Sequence, residues 1–196
     1  MLSIPDLFYL APPQQLDAAA TETVLHAIEK FKREHKNHLN GGIWPAEVAS
    51  YRVALSAFDE PAVRAALDVL SASMGLAARE AIIVECEWAA LHEDEDCEDQ
   101  AFVSLVLRTG PYPYRVQLLR HSTLRALAAG SKMAPSDVWF SELDLTAGCV
   151  LVFDPLQPHQ SMPVRPADGQ RLVLLQWVLP IGTRAEREAL LAKFPS

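Results

Sequence analysis

Short segments rich in β-branched and aromatic residues dominate the chain from Ala81 onward. Glycines, prolines and acidic loops separate these segments, which is the pattern of strands joined by turns. The predicted strands are Ala81–Trp88, Ala101–Arg108, Tyr114–Leu119, Val138–Leu143, Cys149–Phe153 and Arg171–Leu179. Several short strands with long turns predict a mainly β (α+β) fold, a double-sheet sandwich of the jelly-roll type, also called a double-stranded β-helix.

Amphipathic helices are predicted on either side of the β-rich region. From about Asp17 to His38, apolar residues recur at helical spacing beside charged ones. A second helix, from about Glu60 to Ser73, has proline in its first turn and glycine just beyond its end. A third, from about Thr183 to Phe194, begins with threonine and has glutamate three residues later, which is the capping-box spacing. These helices are expected to pack against the sheet.

The length of the chain sets the expected domain organisation. With 196 residues, of which 50% are hydrophobic by type, the chain can bury one sizeable core. One domain over residues 1–196 is therefore predicted, with 1–80 as mostly helical support, 81–180 as the jelly-roll core and 181–196 as the C-terminal helix. The segment 122–135 has no clear strand pattern and is predicted either as a lid or as a surface helix with a loop.

Charge, cysteine usage and hydropathy argue against several classes of function. A net charge of −8 opposes attraction to nucleic-acid backbones and anionic membrane surfaces, so a nucleic-acid substrate is disfavoured. The three cysteines match neither a metal knuckle nor a disulfide framework and are expected to be reduced thiols. No apolar run is long enough to span a membrane, and the first residues lack the pattern of a signal peptide. We therefore expect a cytoplasmic protein.

Two histidines and one aspartate have the types and spacing of metal ligands. His92 and Asp94 are two positions apart, and in an extended backbone such positions project from the same side. His159 lies much later, in a proline-stiffened loop after a predicted strand. Two imidazoles and one carboxylate form the facial triad of non-haem Fe(II) sites, and the absence of cysteine disfavours a structural zinc site. The sequence thus predicts a mononuclear iron centre.

Arg171 begins the last predicted strand. Its guanidinium could bind the far carboxylate of an acid whose other end chelates the metal, because the planar guanidinium matches a carboxylate with two hydrogen bonds. The face of the strand that carries Arg171, Val173 and Trp177 would then line the interior of the barrel. In the alternative interpretation, Arg171 pairs with carboxylates of the protein itself.

These motifs resemble those of the Fe(II)- and 2-oxoglutarate-dependent dioxygenases, in the style of the prolyl-hydroxylase branch. The matching stretches, between about Trp88 and Leu179, are His92-Glu93-Asp94, Phe102–Leu107, Leu145–Phe153, His159–Val164 and Arg171–Trp177. The resemblance implies that His92, Asp94 and His159 bind iron. It implies that Arg171 binds the C5 carboxylate of 2-oxoglutarate. The implied reaction is O2-dependent hydroxylation of a small molecule or a protein side chain.

Two points of the site are left open by the residues themselves. Family members often carry a further aromatic or polar residue that helps to hold 2-oxoglutarate, and here Tyr112, Tyr114 and Ser104 are candidates that spacing does not separate. Asp96 or Glu93 could also replace the aspartate of the motif as the carboxylate ligand, because the loop is crowded with acidic residues.

Two other classes of protein compete with the oxygenase. The first is a cupin-like metal protein that uses the same ligands without 2-oxoglutarate. Arg171 argues against it, because such a protein needs no cation at that position. The second is a non-catalytic jelly-roll binding module, against which the complete set of metal ligands argues.

Overall fold

The computed structural model describes residues 8–34, 48–54, 57–94, 99–119 and 140–192. The strands in these ranges are β1 (Phe8–Ala11), β2 (Val48–Ala54), β3 (Ala81–His92), β4 (Gln100–Arg108), β5 (Tyr114–Leu119), β6 (Phe140–Leu145), β7 (Val150–Phe153), β8 (His159–Pro163) and β9 (Leu172–Pro180). The helices are α1 (Ala18–Glu34), α2 (Pro61–Ala72) and α3 (Arg184–Leu191), with a 3₁₀ turn at Ala78–Glu80.

Antiparallel pairing joins the strands into one sheet that curves into a nearly closed barrel. The order of neighbouring strands is β1-β7-β4-β9-β3-β8-β5-β6. β2 lies outside this order and pairs with β3. The long strand β3 pairs with β9 through its first half and with β8 at its end, so it connects the larger and the smaller part of the barrel. The predicted jelly-roll fold is confirmed.

Three strands were not predicted from the sequence. β1 and β2 lie in the part of the chain expected to be mostly helical, and they pair with β7 and β3. β1 contains two aromatic residues, and β2 contains two valines and a tyrosine, types that suit a pleated sheet. β8 has the sequence HQSMP, which carries little strand propensity, and its conformation comes from pairing with β3 and β5 on either side.

Successive side chains of the central strands β4 and β9 point to opposite faces of the sheet, and each face belongs to a separate hydrophobic core. Odd-numbered residues of β4 and β9, such as Val103 and Trp177, pack against α1 and α2. Even-numbered residues, such as Phe102 and Leu174, face the interior of the barrel together with β5 and β7. Because both faces are buried, these strands are apolar almost throughout. The barrel interior therefore has its own wall, separate from the core beneath the helices.

The helices begin where the capping signals predict. The Thr183 hydroxyl accepts a hydrogen bond from the Glu186 N–H, and the Glu186 carboxylate accepts one from the Thr183 N–H, so the capping box of α3 is complete. α2 has proline in its first turn, as expected. The predicted ends of α1 at residues 35–38 and of α3 at 193–194, and the whole segment 122–135, lie outside the described residues. None of the described helices combines the length and the apolarity that a membrane span requires.

Candidate metal centre

The end of β3 and the start of β8 bring two histidines together. His92 and His159 are direct partners in the antiparallel register, and their ring centroids are 4.3 Å apart. The register shifts between Ala89 and His92, which marks a bulge or irregularity in β3. Ala89 and His92 both line the same cavity, although residues three apart in a regular strand face opposite sides. The irregularity thus turns His92 inward.

Asp94 is held against the loop that precedes His159. Its backbone N–H donates to the Pro155 carbonyl at 3.0 Å. Its side chain is only 8% exposed, and Oδ2 lies 3.7 Å from Nε2 of His159. One ligand atom from each of His92, Asp94 and His159 lies within 4.8 Å of the others, a spacing that suits one ion. The structure therefore brings the three predicted ligands together, whereas Glu93 between them is exposed.

Backbone carbonyls set the orientation of both imidazoles. His92 Nδ1 lies 2.7 Å from the Ala90 carbonyl, and His159 Nδ1 lies 2.9 Å from the Gln157 carbonyl. Because a carbonyl only accepts hydrogen bonds, each Nδ1 carries a proton, and in the neutral ring Nε2 keeps its lone pair. Metal-binding histidines usually donate the other ring N–H in this way, which fixes the ring and raises its basicity.

Buried contacts also immobilise the loop between β7 and β8. The Asp154 carboxylate accepts a hydrogen bond from the Leu156 N–H at 3.0 Å, and the Gln157 amide donates to the Leu119 carbonyl at 2.8 Å. The Phe153 ring stands edge-on to the His159 ring, with centroids 4.8 Å apart. His159 is consequently placed by packing as well as by its own hydrogen bond.

The three candidate ligands open onto a cavity of about 640 Å³, counting its mouth, inside the barrel. Most of its wall is apolar. The polar residues that line it besides the ligands are Cys86, Ser104, Ser161 and Gln176. Burial raises the pKa of the Cys86 thiol, which lies 3.5 Å from the Ser161 hydroxyl, so this cysteine is in its unreactive protonated form near neutral pH. No lysine or arginine lines the cavity in the described part of the chain.

The structure does not bring Arg171 into this cavity. The opposite face of β9, which includes Leu174, lines the cavity, so the expectation that the Arg171 face does so is wrong. The Arg171 guanidinium lies 3.4 Å from the Glu85 carboxylate and 3.1 Å from that of Glu87. Glu85 is 1% exposed and is also bound by Lys32 of α1 at 2.7 Å. Arg171 therefore pairs with carboxylates of the protein itself, as in the alternative interpretation.

Of the residues considered as further contacts to 2-oxoglutarate, Ser104 reaches the cavity and the two tyrosines do not. The Tyr114 hydroxyl donates to the Glu87 carbonyl at 2.9 Å, and burial raises the pKa of Tyr114. Tyr112 is half-exposed on the surface. Gln176, which hydrogen-bonds to Ser104, was missed. The sequence feature that could have identified Gln176 is its position as the single amide in the otherwise apolar strand β9. The alternative ligand Asp96 lies outside the described residues.

No protein-family model and no curated protein matches the chain. Several solved structures do match it. The non-heme alpha-ketoglutarate-dependent carbocyclase SnoK from nogalamycin biosynthesis is 14% identical with a TM-score of 0.54, over 94% of this chain and 85% of that one. HygX from Streptomyces hygroscopicus, solved with nickel and 2-oxoglutarate bound, is 13% identical with a TM-score of 0.50, over 88% and 82%.

A third similar structure is the epimerase SnoN in complex with Fe³⁺, alpha-ketoglutarate and nogalamycin RO. It is 15% identical with a TM-score of 0.51, over 88% of this chain and 78% of that one. At these identities the similarity shows a shared fold. The fold of this chain is thus the one on which these 2-oxoglutarate-dependent enzymes are built, in agreement with the resemblance in the sequence.

Proposed function

We propose that the chain is an Fe(II)- and 2-oxoglutarate-dependent dioxygenase with His92, Asp94 and His159 as its iron ligands. The observation that carries the proposal is the convergence of two imidazoles and one carboxylate at the edge of an apolar cavity. This ligand set occupies one face of an octahedral ion and leaves the other positions open. The fold shared with 2-oxoglutarate-dependent enzymes supports the same conclusion.

The chemistry of the donor atoms fits Fe(II). Both imidazoles donate through Nδ1 to carbonyls, so the Nε2 atoms are the nitrogen ligands, and the third ligand is a carboxylate oxygen. No cysteine sulfur belongs to the set, which separates it from a structural zinc site. Bound iron would supply the redox chemistry with O2. Residues of the chain would orient the ligands and keep water away from them.

The protein's part in the reaction follows from the packing around the ligands. The carbonyls of Ala90 and Gln157 hold the imidazole rings. The Phe153 ring stands edge-on to His159, and Phe102 in turn stands edge-on to Phe153. The apolar wall favours a hydrocarbon group of the substrate next to the metal. We therefore propose hydroxylation of a C–H bond in a small molecule or a protein side chain as the reaction.

A cupin-like metal protein that does not use 2-oxoglutarate is the second candidate. The observation that favours it is the position of Arg171, which pairs with Glu85 and Glu87 instead of facing the cavity. The cavity consequently has no cation among its described residues to receive a second carboxylate. The two candidates share the metal site and differ in whether 2-oxoglutarate binds to it.

Thermal unfolding with and without metal distinguishes the two candidates. If the protein is the proposed dioxygenase, 2-oxoglutarate should raise the melting temperature only when Co(II) is also present, because one end of 2-oxoglutarate would bind to the metal. At a ligand concentration of about 100 times Kd, the expected stabilisation is about 2.7 kcal/mol. Stabilisation by Co(II) with no further effect of 2-oxoglutarate would instead support the cupin-like protein.

Alanine substitutions at neighbouring acidic residues test which carboxylate is the ligand. Asp94→Ala should weaken Co(II) binding at least about 100-fold, more than the loss of an outer-shell contact, because the Asp94 carboxylate is buried beside His159 Nε2. Glu93→Ala is the matched control and should leave Co(II) affinity nearly unchanged, since its side chain is exposed. Titration of each variant with Co(II) gives both affinities. The opposite ranking would assign the ligand to Glu93.

A further inference from the structure

The side chain of Gln157 joins the loop before His159 to strand β5. Gln157 is 0% exposed, and its Nε2 donates to the Leu119 carbonyl at 2.8 Å. Because a carbonyl only accepts hydrogen bonds, the nitrogen of the amide must face Leu119. The Gln157 amide thus occupies the place that a backbone N–H of the neighbouring strand has in a regular sheet.

Pro158 explains why a side chain is needed at this point. Leu118 and His159 are partners in the register of β5 and β8, so the next pair is Leu119 with Pro158. The Leu119 N–H donates to the Pro158 carbonyl at 2.8 Å, which is one of the two hydrogen bonds that such an antiparallel pair exchanges. The other would need an N–H at residue 158, and proline has none. The Gln157 amide supplies this missing donor one residue before the metal ligand.

The backbone of Gln157 orients the imidazole of His159. Its carbonyl lies 2.9 Å from His159 Nδ1, and its N–H donates to the Asp154 carbonyl at 3.0 Å. Gln157 is therefore fixed by Asp154 at its N–H and by Leu119 at its side chain. A shift of the Gln157 carbonyl would turn the His159 ring and move Nε2, which is the candidate ligand atom.

The same loop also contacts the carboxylate ligand. The Asp94 N–H donates to the carbonyl of Pro155, two residues before Gln157, at 3.0 Å. Asp94 Oδ2 in turn lies 3.7 Å from His159 Nε2. Two of the three candidate ligands are thus hydrogen-bonded to one short loop, and the Gln157 amide helps to join this loop to β5.

On these observations, and resting on the assignment of His159 as a ligand in the proposed function, we propose that Gln157 is a positioning residue of the metal centre. Its side chain replaces the N–H that Pro158 lacks, and this contact fixes the carbonyl that orients His159. Gln157 does not line the cavity, so it acts through His159 and not by contact with the metal or a substrate.

Replacement of Gln157 with methionine tests this inference, because methionine is similar in length and has no donor. Gln157→Met should weaken Co(II) binding roughly tenfold, the lower end of the effect of a lost outer-shell contact. It should also shift the visible absorption of bound Co(II), since the His159 ring turns. Pro158→Ala introduces a backbone N–H at residue 158. In the double variant Gln157→Met/Pro158→Ala, Co(II) affinity should return to within about threefold of that of the parent.

Gln170→Met is the matched control. Gln170 is also buried, its amide donates to the Tyr112 carbonyl at 2.7 Å, and it does not line the cavity. Its replacement also removes a buried hydrogen bond to a backbone carbonyl, but this bond holds a turn that carries no candidate ligand. Gln170→Met should therefore lower stability towards urea and leave the affinity and the absorption of bound Co(II) unchanged.

The inference and the proposed function can fail separately. Unchanged Co(II) affinity and absorption in Gln157→Met, or a double variant that binds Co(II) no more tightly than Gln157→Met, overturns the inference while the proposed function stands. If Gln157→Met does not fold, the double variant decides, because it should fold and bind Co(II) like the parent; failure to do so also overturns the inference. Absence of Co(II) binding by the parent overturns the proposed function, and the inference with it.

Discussion

Replacing His159 with alanine should abolish tight Co(II) binding and leave the fold intact. His159 is one of the three candidate ligands found among the described residues, and its Nε2 lies 3.7 Å from the Asp94 carboxylate. For comparison, structural Zn(II) binds to the complete ligand set of zinc-finger peptides with an apparent free energy of about 10–16 kcal/mol, so each ligand contributes several kcal/mol. The loss of one ligand of three should therefore weaken binding by several orders of magnitude. Absorption of bound Co(II) during a titration measures the affinity, and circular dichroism reports the fold.

The control for this experiment is His26→Ala. His26 lies on α1 and is exposed, so its removal should change neither Co(II) binding nor the fold. A His159→Ala variant that binds Co(II) as tightly as the parent would show that the three residues are not the metal site. It would remove the main support for the proposed dioxygenase and for the cupin-like alternative together.

Substitution of Gly148 with alanine should lower the free energy of unfolding by roughly 2–5 kcal/mol, the combined effect of backbone strain and overpacking. Gly148 forms the turn between β6 and β7 with a φ of +87°, which disfavours any residue with a side chain. A Cβ atom there would lie 2.2 Å from the carbonyl oxygen of Gln14. That oxygen belongs to backbone held close by the hydrogen bond from Gln14 N–H to the Gly148 carbonyl. Urea unfolding of the variant measures the effect.

Gly169→Ala separates the two causes. Gly169 also has a positive φ, +72°, but a Cβ atom at this position would have no neighbour within 4 Å. The variant should therefore show the backbone strain alone, about 1–2 kcal/mol. Equal destabilisation by the two substitutions would show that the close approach of Gln14 to Gly148 costs nothing, and that the turn can shift to relieve it.

Local sequence determined much of the framework and all three candidate metal ligands. β4 and β9 follow from nearly continuous apolar runs, because strands buried on both faces have no polar side. β5 follows from its alternation of apolar and polar residues, and β3 from the β-branched residues of its first half. The spacing of His92 and Asp94 predicted that both would project from one side of the chain. The capping box of α3 was predicted because its hydrogen bonds join residues three apart in the chain.

Tertiary structure alone decided the elements and contacts that depend on distant pairing. β8 is a strand because β3 and β5 flank it, although its own residues favour no strand. The position of Arg171 could not be predicted, because a strand that is apolar on both faces does not reveal which face meets the cavity and which meets the helices. Its carboxylate partner Glu85 lies far away in sequence, and the two meet only through the pairing of β3 with β9. The same pairing of strands places Gln176 beside Ser104. Local periodicity specifies where a strand forms, but the register between strands specifies which side chains share a site.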